Sequence, residues 1–209
     1  EISQKVRHRL AEVYENELSD NDRAIEVLMS IIELSPSDSV ALQSLERLYK
    51  ELGSFSDLAE VYKHRVQQAD TDNARIGLMR ELARIEADLL LEPDTAIGTL
   101  NELLLIDEYD VPALRRLAKL YEQNESFAEA EESLRRILSA PEDELREELI
   151  ARNELARLFL DCMGREQDGF DLLGENIALA PTDEGTRQFV RERLEIAISE
   201  AYEKGFIGK

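Results

Sequence analysis

An all-α fold, built as a solenoid of about five stacked helical hairpins with a terminal helix, is predicted by three observations. Leu, Ala, Glu and Arg dominate, all good helix formers, while Gly and Pro number only 9 and 5 and Trp is absent. Leu recurs at helical spacing. The chain also repeats itself: moved by 72 residues, "ALQSLERLYKELGSF" (41–55) falls on "ALRRLAKLYEQNESF" (113–127) with its apolar letters in register.

The register extends well beyond that stretch. Leu10, Ala11, Leu18, Asp22, Ala24, Ile25 and Leu28 fall on Leu82, Ala83, Leu90, Asp94, Ala96, Ile97 and Leu100. Moved by 73, residues 82–110 run without a gap along 155–183. Each long period holds two hairpins, so the elementary unit is roughly 36 residues. One repeat domain spans 1–209, with repeats near 1–36, 37–70, 71–108, 109–141 and 142–181.

Local chemistry marks the elements in order. First helices are predicted near 3–16, 38–51, 72–90, 110–123 and 143–163, and second helices near 21–34, 56–68, 94–106, 127–139 and 167–179. "SPSDS" precedes the third helix, Gly53 stops it, and Ser54 or Ser56 caps the next. Pro93 suits a helix start, because the first turn has no use for the donor that proline lacks. After Pro181 one long helix, 184–204, abandons the repeat pattern, as a cap does whose outer face meets water.

Set against the pattern W-x2-L-G-x2-Y on first helices, the five hairpins place Arg7, Leu10, Ala11, Tyr14; Leu42, Leu45, Glu46, Tyr49; Met79, Leu82, Ala83, Glu86; Leu114, Leu117, Ala118, Tyr121; and Arg152, Leu155, Ala156, Phe159. The A-x3-F places of second helices hold Ala24 and Leu28, Leu58 and Tyr62, Ala96 and Leu100, Ala130 and Leu134, Gly169 and Leu173. The chain thus resembles a tetratricopeptide-repeat (TPR) protein over 1–183, which implies a right-handed superhelix and a protein-interaction scaffold. Glu46 and Leu58 stand where small residues let helices approach closely, so the second hairpin is expected to pack more loosely or to be rotated.

Several function classes lose support. A formal charge of -21, from 46 acidic against 25 basic residues, repels nucleic acid and anionic membrane surfaces. No window is apolar enough to span a membrane, no signal-peptide core opens the chain, and a cytoplasmic location is expected. His8 and His64 lie in different repeats without ligands at metal spacing, no glycine-rich phosphate loop occurs, and the acidic clusters lack the spacing of a calcium loop. Neither cofactor, metal nor enzymatic activity is expected. The single cysteine, Cys162, sits in "LFLDCMG" and reads as a buried thiol.

The cations are unevenly distributed. First helices and their leads hold fourteen Lys or Arg, second helices and theirs six. Two residues past the Leu place stand Glu12, Arg47, Arg84, Lys119 and Arg157, and four before these stand His8, Gln43, Arg80, Arg115 and Asn153. The resemblance implies that these positions line a concave groove, so Gln43, Arg47, Arg80, Arg84, Arg115, Lys119, Asn153 and Arg157 are the expected partner-binding residues for an acidic peptide or protein surface. They match a carboxylate clamp in kind, but Glu12 and Gln43 depart from it and favour an acidic internal segment. Screening of the same cations by Glu81, Asp88 and Glu122, as ordinary surface ion pairs, is the competing reading. The chain starts without Met and inside a first helix, so continuation of the array, a larger parent protein, or self-association through Ile2, Val6 and Leu10 is also expected.

Overall fold

Residues 3–141 and 145–203 are described in the computed structural model. Among them, regular structure consists of eleven α-helices and two π-helical turns, with no strand. The helices are α1 (Gln4–Asn16), α2 (Asn21–Leu34), α3 (Ser39–Leu52), α4 (Phe55–Gln67), α5 (Asp72–Arg84), α6 (Pro93–Leu103), α7 (Val111–Gln123), α8 (Phe127–Leu138), α9 (Leu145–Leu158), α10 (Glu166–Leu179) and α11 (Glu184–Glu203). Every predicted hairpin is present, and most helix ends lie within a residue or two of the predicted ones. The expected residues 143, 144 and 204 lie outside the described residues.

The chain divides into two compact units, 1–108 and 109–209, at the boundary between the third and fourth repeats. In unit 1, Ala24, Leu28, Leu45, Leu48, Leu58 and Ile85 form a core between three hairpins. In unit 2, Leu114, Leu117, Ile137, Leu155 and Phe159 are equally buried, and α11 packs on α10 and α9.

Asp20, Asp38, Thr71 and Asp110 cap α2, α3, α5 and α7 with side-chain oxygens that accept backbone N–H groups. Pro93 opens α6. The hairpin turns share one device. The carbonyl at the Tyr place of each first helix, in Tyr14, Tyr49, Glu86, Tyr121 and Phe159, accepts from the backbone N–H of Asp20, Ser54, Glu92, Ser126 and Arg165 respectively, at 2.8–2.9 Å. The donor is the residue that opens the second helix. Just before it the backbone turns left-handed, at Ser19, Gly53, Leu91, Glu125 and Gly164, with φ of 52, 69, 58, 58 and 64°.

Hairpins one, three and five carry one more residue in this turn than hairpins two and four, which is why the repeat reads as a period of two hairpins. In hairpins three and five the extra residue is absorbed by the π-helical turns Ile85–Leu89 and Phe159–Met163 that prolong α5 and α9.

Small residues bring the helices of a hairpin together. Ala11, Ala24, Ala83, Ala96, Ala118, Ala130 and Ala156 are all buried. At Gly169 the approach is closer still: a Cβ there would lie 2.6 Å from Leu160 Cγ and 3.2 Å from the Ala156 carbonyl oxygen. The second hairpin is different, and α3 with α4 makes the sparsest contact of any hairpin pair. Glu46 fills the gap with polar contacts, accepting from Tyr62 Oη at 2.7 Å, Lys50 Nζ at 2.6 Å and Arg65 Nη1.

Candidate functional site

The eight expected partner-binding residues all lie on first helices, four in each unit. In unit 1, Gln43 and Arg47 border a shallow depression with Glu46, Lys50 and Glu51. Arg47 is held by Glu15 of the preceding first helix at 2.5 Å and by Glu51 at 3.4 Å. Arg84 pairs with Glu81 at 3.0 Å along its own helix. Arg80 is exposed and also has an interaction partner.

In unit 2, Arg115, Lys119 and Arg157 are brought together around a depression of about 470 Å3 between α7 and α9. Its other walls are Glu122, Glu154 and the apolar Ala118, Leu134 and Leu158. Arg157 grips Glu122 with both terminal nitrogens, at 2.8 and 2.5 Å. Arg115 donates to Glu147 at 2.9 Å and to Glu154 at 3.0 Å. These forks fix both guanidinium groups across adjacent first helices. The hydrogen bond from Arg157 holds the Glu122 carboxyl below its ordinary range against the effect of burial. Lys119 is exposed and, among the described residues, has no ion-pair partner.

Asn153 is directed elsewhere. Its side-chain oxygen accepts from Asn176 Nδ2 at 2.8 Å, and the same amide donates to the Leu149 carbonyl at 2.9 Å. Asn176 is fully buried, so Asn153 serves the contact between α9 and α10.

Arg47 with Glu15 and Arg157 with Glu122 obey one rule that sequence reading missed: the cation two places after the repeat's Leu bonds a carboxylate five places after the Leu of the preceding repeat. The corresponding residues before Arg84 and Lys119 are Lys50 and Ala87, which offer no carboxylate. Repeat-to-repeat comparison of charges at these two offsets is the signal that finds the rungs. The screening expected from Glu81 and Glu122 is present at Arg84 and Arg157.

The remaining reactive side chains are placed as follows. His8 Nε2 lies 3.0 Å from Asp38, and His64 Nε2 lies 2.7 Å from the Pro36 carbonyl oxygen. Cys162 is half-buried rather than buried, beside Glu122 and Arg157, and burial followed by the charge of Glu122 raises its thiol pKa. Such a thiol is poorly ionised. Among the described residues no group of three or more His, Cys, Asp or Glu is placed to hold a metal ion, and no helix is long and apolar enough to cross a membrane.

Stacked helical hairpins, four of the five with buried small residues at the two motif places, define a tetratricopeptide-like repeat fold. Solved structures agree with that fold. YrrB, described as a TPR protein with an unusual peptide-binding site, matches with a TM-score of 0.55 at 13% identity over 89% of this chain and 90% of its own. The TPR-like repeats of a putative kinesin light chain from Podosopora anserina match at 0.54 and 20% identity over 86% and 96%. MamA matches at 0.55 and 16% identity over 82% and 94%. No protein-family model matches the chain, and no curated protein matches it in sequence.

Proposed function

We propose that the chain is a non-catalytic scaffold that holds an acidic peptide or protein surface against its first helices. The observation that carries this reading is the depression between α7 and α9, where Arg115, Lys119 and Arg157 converge over an apolar floor. Arg115 and Arg157 are oriented by carboxylates, and Lys119 is left to meet an incoming acid. Pre-oriented cations limit the entropy lost on binding, and the mixed charges give register more than raw affinity. The peptide-binding site ascribed to YrrB lends the reading support by fold analogy.

Lys119→Glu is the cleanest probe, because Lys119 makes no hydrogen bond or ion pair among the described residues and acts on the fold only through its charge near Glu122. Capture of a fluorescent acidic peptide, followed by anisotropy, should weaken at least tenfold in the variant and should weaken for the parent as salt rises. Equal affinity in variant and parent, with unchanged circular dichroism, would sink the proposal.

A second reading, self-association, is favoured by Val6 and Leu10 of α1, which are 55% and 37% exposed. Ile2 lies outside the described residues. Light scattering should then show a mass that grows with concentration and falls back to the monomer in Val6→Glu. A monomer at every concentration rejects it.

A further inference from the structure

Unit 1 also carries a different kind of surface. Between the second helices α2 and α4 lies a cleft of about 460 Å3, floored by Ile32, Leu42, Leu45 and Val61. Met29 stands at its lip, 43% exposed, although it is one of only three methionines in the chain. Its remaining lining is Tyr49, Asp57, Glu60, Lys63, His64 and Gln67. An apolar floor ringed by polar groups has the character of a binding site, and a flexible thioether at the edge adapts to varied apolar side chains.

Carboxylates on and beside the cleft supply the sign. Glu26 and Glu33 lie three residues before and four after Met29, on the same stripe of α2, and both are exposed. Asp57 and Glu60 line the cleft from α4. Glu60 is paired with Lys63 at 2.9 Å, whereas Glu26, Glu33 and Asp57 have no ion-pair partner among the described residues. The contrast with the first helices is direct, since Arg47, Arg115 and Arg157 each hold a carboxylate there.

We infer that this cleft docks a basic amphipathic segment of a partner protein, with apolar side chains on the floor beside Met29 and Lys or Arg against Glu26, Glu33 and Asp57. The apolar floor supplies the affinity and the unpaired carboxylates supply orientation and a salt-dependent encounter rate. The site is separate from the first-helix depression of unit 2 and prefers a partner of opposite charge.

The three methionines make the test specific. With the methyl groups of Met29, Met79 and Met163 carbon-13 labelled in the full chain, a synthetic amphipathic peptide of Leu and Lys is titrated in and the three signals are followed. The Met29 signal should shift and saturate, while those of Met79, buried in the core, and Met163, in unit 2, stay in place. Glu26→Lys with Glu33→Lys should weaken binding at least tenfold, Met29→Ala several-fold, and Lys119→Glu not at all. An unmoved Met29 signal, equal movement of all three, the same response to a Leu and Glu peptide, or a Met29 shift driven by protein concentration alone overturns the inference.

Discussion

At pH 7, Glu86→Gln unfolds at a higher urea concentration than the parent, by the equivalent of about 1–3 kcal/mol. Glu86 occupies the Tyr place of the third repeat, on the π-helical turn after α5, and is 1% exposed. One carboxylate oxygen accepts from Thr99 at 2.7 Å, and the other is buried without a hydrogen-bond partner. Burial is the main reason its pKa is raised above 4.5; the Thr99 hydrogen bond and the charge of Lys63 pull the other way, and Glu92 and Glu102 push it further up. A raised folded pKa means that the folded chain binds this proton more tightly than the unfolded chain. The group therefore favours folding most below pH 4.5, and that advantage is lost as pH rises through the folded value. The gap between Glu86→Gln and parent should close as the pH falls below 4.5. A gap that stays constant from neutral to acid pH, or a variant less stable at pH 7, contradicts this account.

Glu46→Ala gives the opposite sign, although it restores the small residue that the repeat pattern calls for. It costs about 1–3 kcal/mol in urea unfolding at pH 7. The buried Tyr62 hydroxyl, Arg65 and Lys50 all lose their common acceptor, and Leu58 already occupies the interface in full burial. Burial alone would raise the Glu46 pKa, but hydrogen bonds from Lys50 and Tyr62 and the charges of Lys50 and Arg65 outweigh it and hold the carboxyl below 4.5. Its stabilisation is thus present above pH 4.5 and disappears as the pH falls through the folded value. Tyr62→Phe in the Glu46→Ala background should return part of the loss, because the hydroxyl is no longer stranded. Unchanged stability of Glu46→Ala across pH would show that the network does not hold α3 to α4.

Together these two carboxylates show where sequence reading succeeds and where it stops. Hairpins, helix ends and buried places such as Leu45, Leu117 and Leu155 are legible because period, cap chemistry and composition agree at each of them. Glu46 and Glu86 were visible as departures from the motif, but only coordinates tell that one meets three donors and the other leaves an oxygen without any. The left-handed turn residues were half visible. Gly53 and Gly164 announce a positive φ, whereas Ser19, Leu91 and Glu125 adopt it under the hydrogen bond that closes the turn and carry no mark of it.

The basic side chains were legible as a pattern of offsets, and their company was not. Arg47, Arg115 and Arg157 are long enough to choose among several carboxylates, so which one each takes depends on the rise from one first helix to the next. Asn153 looked like a groove residue by offset alone. Its oxygen points to Asn176 because that buried amide needs an acceptor.

The unequal turns also set the grain along which the chain can be cut and rejoined. Removing the second hairpin alone places two long turns in succession and discards the rung from Arg47 to Glu15. Inserting or excising a pair keeps long and short turns in alternation. For grafting, and for any duplication by which such a chain lengthens, the exchangeable unit is therefore the pair of hairpins, 72 or 73 residues, and not half of that.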